Sequence, residues 1–284
     1  MLLSGFLLST KPFNKDYYKR GINVISSYIF FSMVVILFRK YYLQDDLSWL
    51  KWVLKIFDFS AIPYAWYIEM WIGLFLLSPF LNTLYQNIET KRRKLLLLAI
   101  LIFITAIPNW TNRYGLHIMP EYWSMIYPLT FYFIGAYIKE YQPVCPFKIG
   151  IPLVLMISMI NPIFNMVAVK SSRSLVQIAG DPHALFGMIN SVVIFLMFYK
   201  IDIKSDKVKR CLATFAKSTL GIYLCCYIFD AIYYPIFKEH FFVSQQQFGA
   251  YFFVIVPLIF LSSFVLAQVK TLLFKITKLD KLLS

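Results

Sequence analysis

Long apolar runs separated by short polar stretches organise the chain. Eight runs reach or approach the roughly 20 residues that a helix needs to cross bilayer hydrocarbon. They are residues 22–38, 61–81, 95–110, 122–138, 149–169, 184–199, 218–237 and 248–269. The third is short, but the alternation of charge across it supports a crossing. An apolar stub at 2–8 precedes them, too short to span alone and without the basic start and cleavage site of a signal peptide. The pattern predicts an all-α polytopic membrane protein. We read it as a single domain over 1–284, with about eight transmembrane helices plus an N-terminal helix stub.

One connecting segment carries its own period. In residues 47–59, Ser48, Lys51, Lys55 and Asp58 fall at i, i+3, i+7 and i+10, and Trp49, Leu50, Trp52, Val53, Leu54, Ile56 and Phe57 fill the rest of the turn. This spacing predicts an amphipathic helix. Two placements fit it: flat on the outer leaflet, or capping a substrate groove.

Composition narrows the class. Of 284 residues, 60% are apolar and 15% charged, against about 45–50% apolar in soluble domains. The 28 Phe and 20 Tyr exclude a disordered chain. Four cysteines form no disulfide scaffold or metal-ligand spacing: Cys225 and Cys226 are adjacent, a geometry that rarely bridges.

The net charge of +14 is unevenly spread. The first, third, fifth, seventh and last polar stretches together carry +14, and the even-numbered ones carry +2. By the positive-inside rule, the odd stretches and the C-terminus are expected in the cytoplasm, as in a bacterial inner-membrane protein. The six Trp residues then fall in outer loops or outer span halves, where an interfacial belt forms. Basic residues spread over several short loops do not make one nucleic-acid-binding face, so no nucleic acid partner is expected.

Ionisable groups within spans are costly and point to function or to a hydrogen-bonded structural role. There are two, Glu69 and Asp230, each expected to face the bundle interior. With Trp66 and Tyr67 they are the candidate cavity lining. His117, His183 and His240 all fall in outer loops. The cytoplasmic clusters containing Lys19 and Arg20, Arg92 and Arg93, and Lys204 to Arg210 have two readings. They attract anionic lipid, or they receive a phosphorylated donor through forked Arg contacts.

Several strings, in order along nearly the whole chain, resemble the acyltransferase 3 family of integral membrane O-acyltransferases. They run from Ser4 to Ser9, Asp16 to Arg20, Ala65 to Ile68, Gly73 to Leu81, Phe131 to Tyr137 and Ser218 to Leu224. The resemblance implies acetyl-CoA or another acyl-CoA offered from the cytoplasm. It implies an acceptor hydroxyl on a surface or lipid-linked glycan; no metal is expected, because the sequence has no metal-ligand spacing. It also implies ten spans, so the chain reads as an N-terminally shortened member that starts inside the second. The family's catalytic His belongs to the first span and maps to no residue here. Arg20 matches the first Arg of a paired motif, and Asn23 stands in place of the second. Tyr64 and Cys226 stand where two further family His residues occur. The candidate donor-binding residues are Arg20, Lys19, Arg92 and Arg93; the catalytic residue and the oligomeric state are unassigned. Two alternatives stay open: an inactive lipid- or glycan-binding relative, and a polysaccharide or lipid transporter or flippase.

Overall fold

The computed structural model describes residues 1–11, 15–112, 117–172, 184–241 and 248–277. Among them the regular structure is helical: α1 (Leu2–Leu8), α2 (Lys15–Tyr41), α3 (Trp49–Phe57), α4 (Trp66–Gln86), α5 (Lys91–Thr111), a 3₁₀ turn (Glu121–Ile126), α6 (Tyr127–Tyr141), α7 (Phe147–Ser172), α8 (Leu185–Phe198), α9 (Asp206–His240) and α10 (Phe248–Ile276). Among the described residues, four segments are long and apolar enough to cross a membrane: Tyr17–Tyr41, Trp66–Gln86, Asp206–His240 and Tyr251–Ile276. Leu185–Phe198 is a shorter apolar helix. The fold is that of a helical membrane protein.

Most of the helices extend beyond the apolar runs that predict them, α9 furthest. The basic stretch before residue 218 is helical and continuous with the span. Its Lys, Arg, Leu and Ala are good helix formers, and no Gly or Pro interrupts it. The 35 residues of α9 make a rod of about 52 Å, longer than the roughly 30 Å hydrocarbon layer. Likewise α2 starts at Lys15, ahead of the apolar run.

The chain forms two compact units: Met1–Phe13 with Leu74–Asp202, and Asn14–Gly73 with Ile203–Ser284. In the first, the stub α1 packs against α6 at two glycines. A methyl group added at Gly5 would overlap the Tyr132 carbonyl, and one at Gly135 would overlap the Leu2 carbonyl. Small residues are how helices approach closely in lipid, where burying apolar surface gains little. The carbonyls at the end of α1 need donors. Asn82 Nδ2 donates to Leu8 O at 2.8 Å, and Gln86 Nε2 donates to Ser9 O at 3.3 Å. Tyr132 Oη closes the link by donating to Asn82 Oδ1 at 2.7 Å.

The same unit encloses a cation. Lys94, whose side chain is 7% exposed, donates to both Glu140 oxygens at 2.7 and 2.8 Å. Its ammonium lies 4.6 Å from the Tyr85 ring centre. Partial burial works against the Glu140 carboxylate. The Lys94 and Tyr85 hydrogen bonds and the Lys94 charge outweigh that effect, so its pKa is held below the ordinary value.

In the second unit, α2, α9, α10 and the first turns of α4 share a core that includes Phe31, Val35, Ile62, Ile68, Leu224 and Ile228. Gly221 lets α9 close on Ala267 and Phe31. Polar links add direction: Lys270 Nζ donates to Ser27 Oγ at 2.9 Å, and Gln268 Nε2 donates to Ser218 Oγ at 2.7 Å. The opposite face of α10, with Phe253, Leu261, Val265 and Leu272, is exposed and apolar, as a lipid-facing surface is.

The amphipathic helix forms as α3, and its circumference divides in three. Trp52 and Ile56 turn inward, Lys51, Lys55 and Asp58 form the polar strip, and Trp49, Leu50, Val53, Leu54 and Phe57 are exposed. Tyr28 Oη donates to Ile56 O at 2.7 Å, and the Arg39 guanidinium lies 4.9 Å from the buried Trp52 ring. Arg39 Nε also donates to Asp45 Oδ2 at 2.7 Å. Beyond α3, Phe59 is left-handed (φ 58°). Asp58 Oδ1 accepts from Ser60 N at 2.9 Å and Ser60 Oγ at 2.6 Å across that turn.

Gly5→Val and Gly135→Val are expected to cost about 1–3 kcal/mol or more, because rigid backbone must give way. Gly73→Ala, with no neighbour in reach, is expected to leave the melting temperature in detergent unchanged or slightly raised. Equal melting temperatures for all three variants would refute the close-packing account. For Glu140 the folded pKa is depressed. Its stabilisation is therefore present at neutral pH and lost as pH falls below the ordinary Glu value of about 4.3. Melting temperature should fall with acidification in the wild type, and less steeply in Glu140→Gln.

Candidate functional site

Every feature of the candidate site belongs to the second unit. Three lysines, Lys217 about three turns into α9 and Lys270 and Lys275 in the last turns of α10, line a cavity of about 390 Å³. Asn23 and Ser27 of α2, with Ser218 and Thr271, contribute polar groups to its wall. The first turns of α9 continue the charge outward with Lys207, Lys209 and Arg210, all exposed. Lys270 is already directed by its hydrogen bond to Ser27. Lysines and hydroxyls around one space suit an anion with several oxygen acceptors.

A second cavity of about 390 Å³ has Val24 and Leu220 in common with the first. Tyr67, Ile68, Trp71, Ala216, Thr219 and Tyr223 complete it, so it is mostly apolar, with two tyrosines. Together the cavities offer a charged mouth and an apolar sleeve between α2, α4 and α9.

Tyrosines lead on from the sleeve. The Tyr67 and Tyr223 rings meet edge to face at 5.6 Å. Tyr223 Oη donates to the Tyr64 carbonyl at 2.5 Å. Tyr64 Oη in turn donates to Asp230 Oδ2 at 2.6 Å, and Tyr227 packs edge-on to Tyr64 at 6.1 Å. Cys226 lies one helical turn before Asp230, and its thiol donates to Tyr223 O. Thus Tyr64 and Cys226, the two positions where the resemblance leads one to expect His, border the same carboxylate. Asp230 lies thirteen residues after Lys217 on α9, about 20 Å at 1.5 Å per residue.

The sequence-derived candidates divide accordingly. Asp230 and Tyr67 join this arrangement. Trp66 and Glu69 do not: both are exposed, contrary to the expectation that they line the interior. The reason is angular. At about 100° per residue, Tyr67, Ile68 and Trp71 share one face of α4, and Trp66 and Glu69 fall on the other. Arg20 and Lys19 are exposed on α2, about one turn before Asn23, and line neither cavity. Arg92 and Arg93 are exposed in the first turn of α5, in the other unit. His117 and His240 are exposed, and His183 lies outside the described residues.

Sequence reasoning singled out none of the lysines of the charged mouth. Its usable signal was that Lys217, Lys270 and Lys275 all fall in polar stretches assigned to one side of the membrane. Among the described residues, no group of three or more His, Cys, Asp or Glu comes together as a metal site would require.

Comparison with known proteins gives one family. The Acyl_transf_3 family model, described as an acyltransferase domain, matches residues 1–268. No curated protein and no solved structure matches the chain. The family match covers nearly the whole chain and agrees with a bundle of long apolar helices. The chain therefore belongs to the acyltransferase 3 family of integral membrane proteins.

Proposed function

We propose that the chain transfers an acyl group, with acetyl-CoA as the expected donor, to a hydroxyl of a surface or lipid-linked glycan. The observation that carries this reading is a lysine-lined cavity beside an apolar one, the two sharing Val24 and Leu220 as wall residues. A phosphorylated donor with a long flexible arm presents two chemistries, and the cavities offer a counterpart to each. The donor's phosphates meet Lys217, Lys270 and Lys275 through charge-assisted hydrogen bonds, and its arm runs past Thr219 and Leu220 towards Tyr67 and Tyr223. Arg20 and Lys19, about one turn before Asn23, add field at the mouth without touching the donor. Arg92 and Arg93 attract anionic lipid in this reading.

The membrane arrangement follows the charge bias. Eight spans leave the odd polar stretches and the C-terminus in the cytoplasm of a bacterial inner membrane. The lysine mouth, at the start of α9's apolar run and the end of α10, then opens towards the donor. The tyrosines and Asp230 lie towards the outer side, where the acceptor hydroxyl arrives.

Lys217→Gln and Lys270→Gln are each expected to weaken CoA binding to the purified chain about tenfold or more, the worth of one hydrogen bond to a charged group. Arg92→Gln is expected to leave it unchanged. Calorimetry in detergent measures this, and wild-type affinity in both lysine variants would overturn the donor assignment. Orientation has its own test. An impermeant maleimide should label the exposed Cys211 in inside-out vesicles and spare it in intact cells; labelling in intact cells would reverse the proposed topology.

A further inference from the structure

We infer that a cavity at the end of α1 seats the headgroup of an anionic phospholipid; this does not rest on the acyl-transfer reading. The cavity, of about 230 Å³, belongs to the first unit. Its walls come from helix ends: the residues after α1, the last turn of α4, the first turn of α5 and the last turns of α6. Helix α4 is long and apolar enough to cross a membrane and ends at Gln86, which lines the cavity. The cavity therefore stands near headgroup depth. Its volume is below the roughly 300–1,000 Å³ of sites for drug-sized ligands. That suits a headgroup better than a whole nucleotide cofactor.

The lining has an unmet polar demand. Of four consecutive basic residues opening α5, Lys91, Arg92 and Arg93 are exposed and Lys94 is buried. Lys94, Tyr85 and Ser9 form the buried floor of the cavity, and Gln86, Lys139 and Glu140 stand on its exposed rim. Glu140 accepts from Lys94 through both oxygens, so those two charges cancel. Lys139 has no acidic partner among the described residues; its ammonium lies 4.9 Å from the Phe6 ring centre. The lining thus keeps one uncompensated positive charge. Ser9 is 6% exposed, and its hydroxyl has no hydrogen-bond partner among the described residues. A buried hydroxyl in that state is destabilising until something supplies a partner.

A phosphodiester supplies acceptors for both Lys139 and Ser9. A hydroxyl-bearing headgroup such as phosphoglycerol also offers Glu140 a donor. A choline headgroup brings a fixed cation without N–H or O–H groups to a wall already in positive excess. The exposed Lys91, Arg92 and Arg93 raise the local concentration of anionic lipid, and the cavity beside them selects one headgroup from it. In the orientation proposed above, this end faces the cytoplasm and its negatively charged leaflet.

The test uses the purified full chain in detergent with added phosphatidylglycerol, phosphatidylcholine or inorganic phosphate. It reads melting temperature and, by native mass spectrometry, retained lipid. Phosphatidylglycerol is expected to raise the melting temperature, as a ligand of the folded state does, and to stay bound at one lipid per chain. Phosphatidylcholine and inorganic phosphate are expected to do neither. Lys139→Gln should melt as the wild type does without lipid and bind phosphatidylglycerol about tenfold or more weakly. Ser9→Ala should melt at or above the wild-type temperature without lipid, yet bind phosphatidylglycerol about fivefold more weakly. Lys148→Gln removes an exposed lysine at the start of α7, outside the cavity, and should bind it as the wild type does.

Wild-type affinity in both Lys139→Gln and Ser9→Ala would overturn the inference. Equal weakening in Lys148→Gln would also overturn it, leaving general attraction between charges. Stabilisation by inorganic phosphate equal to that by phosphatidylglycerol would remove the lipid as occupant, and equal stabilisation by phosphatidylcholine would refute selection of an anionic headgroup.

Discussion

Helices surrounded by lipid gain little by burying apolar side chains against one another, because the lipid is equally apolar. What remains is close backbone approach and a few polar contacts. Both units of this chain depend on that constraint. Gly5 and Gly135 let α1 and α6 come within touching distance, and Gly221 does the same for α9 against α10 and α2. Asn82, Tyr132, Ser27 and Lys270 then supply direction, because a polar group left without a partner in this environment is expensive. A short helix such as α1 has no length to hold it. It stays in place because its backbone fits α6 and its last carbonyls have donors.

The same constraint shapes the site. Polar side chains are scarce in an apolar bundle, so those present are concentrated. Lysines collect where α9 and α10 run past the apolar segment, and Tyr67 and Tyr223 line the neighbouring apolar cavity. The one acid among these tyrosines, Asp230, accepts a hydrogen bond from Tyr64. Tyrosine suits this role because its ring packs among apolar neighbours and its hydroxyl finds a partner. Four tyrosines, Tyr64, Tyr67, Tyr223 and Tyr227, form a connected aromatic and hydrogen-bonded group around Asp230. They stand in the region where the resemblance leads one to expect His.

Sequence pattern was a good guide to helices and a poorer guide to their faces. The amphipathic segment before α4 forms a helix, and its polar strip is the one the spacing gave, but its remaining surface splits into an inward face and an exposed face. Period alone cannot make that division, because Trp52 and Trp49 are equally apolar; Trp52 is buried in a cluster with Ile36 and Ala61, whereas Trp49 is met by the Lys40 ammonium and stays exposed. The extent of α9 shows the complementary limit. Hydropathy marks where a helix enters hydrocarbon, whereas backbone hydrogen bonding continues through Lys207, Lys209 and Arg210 until the chain turns.

Apolar content, the length of its runs and the one-sided excess of basic residues were enough to determine a helical membrane protein. Ordered family strings were enough to indicate an acyltransferase. These properties are sums or linear patterns, and a chain carries them whatever its neighbours do. Tertiary structure alone decided that Lys217, Lys270 and Lys275 share a space, that Glu69 turns away while Asp230 meets Tyr64, and that Tyr223 joins the apolar sleeve to that pair. Those relations depend on helix rotation and on side chains up to 166 residues apart in sequence. Helix rotation is set by packing at glycines and by a handful of polar contacts, which no linear pattern encodes.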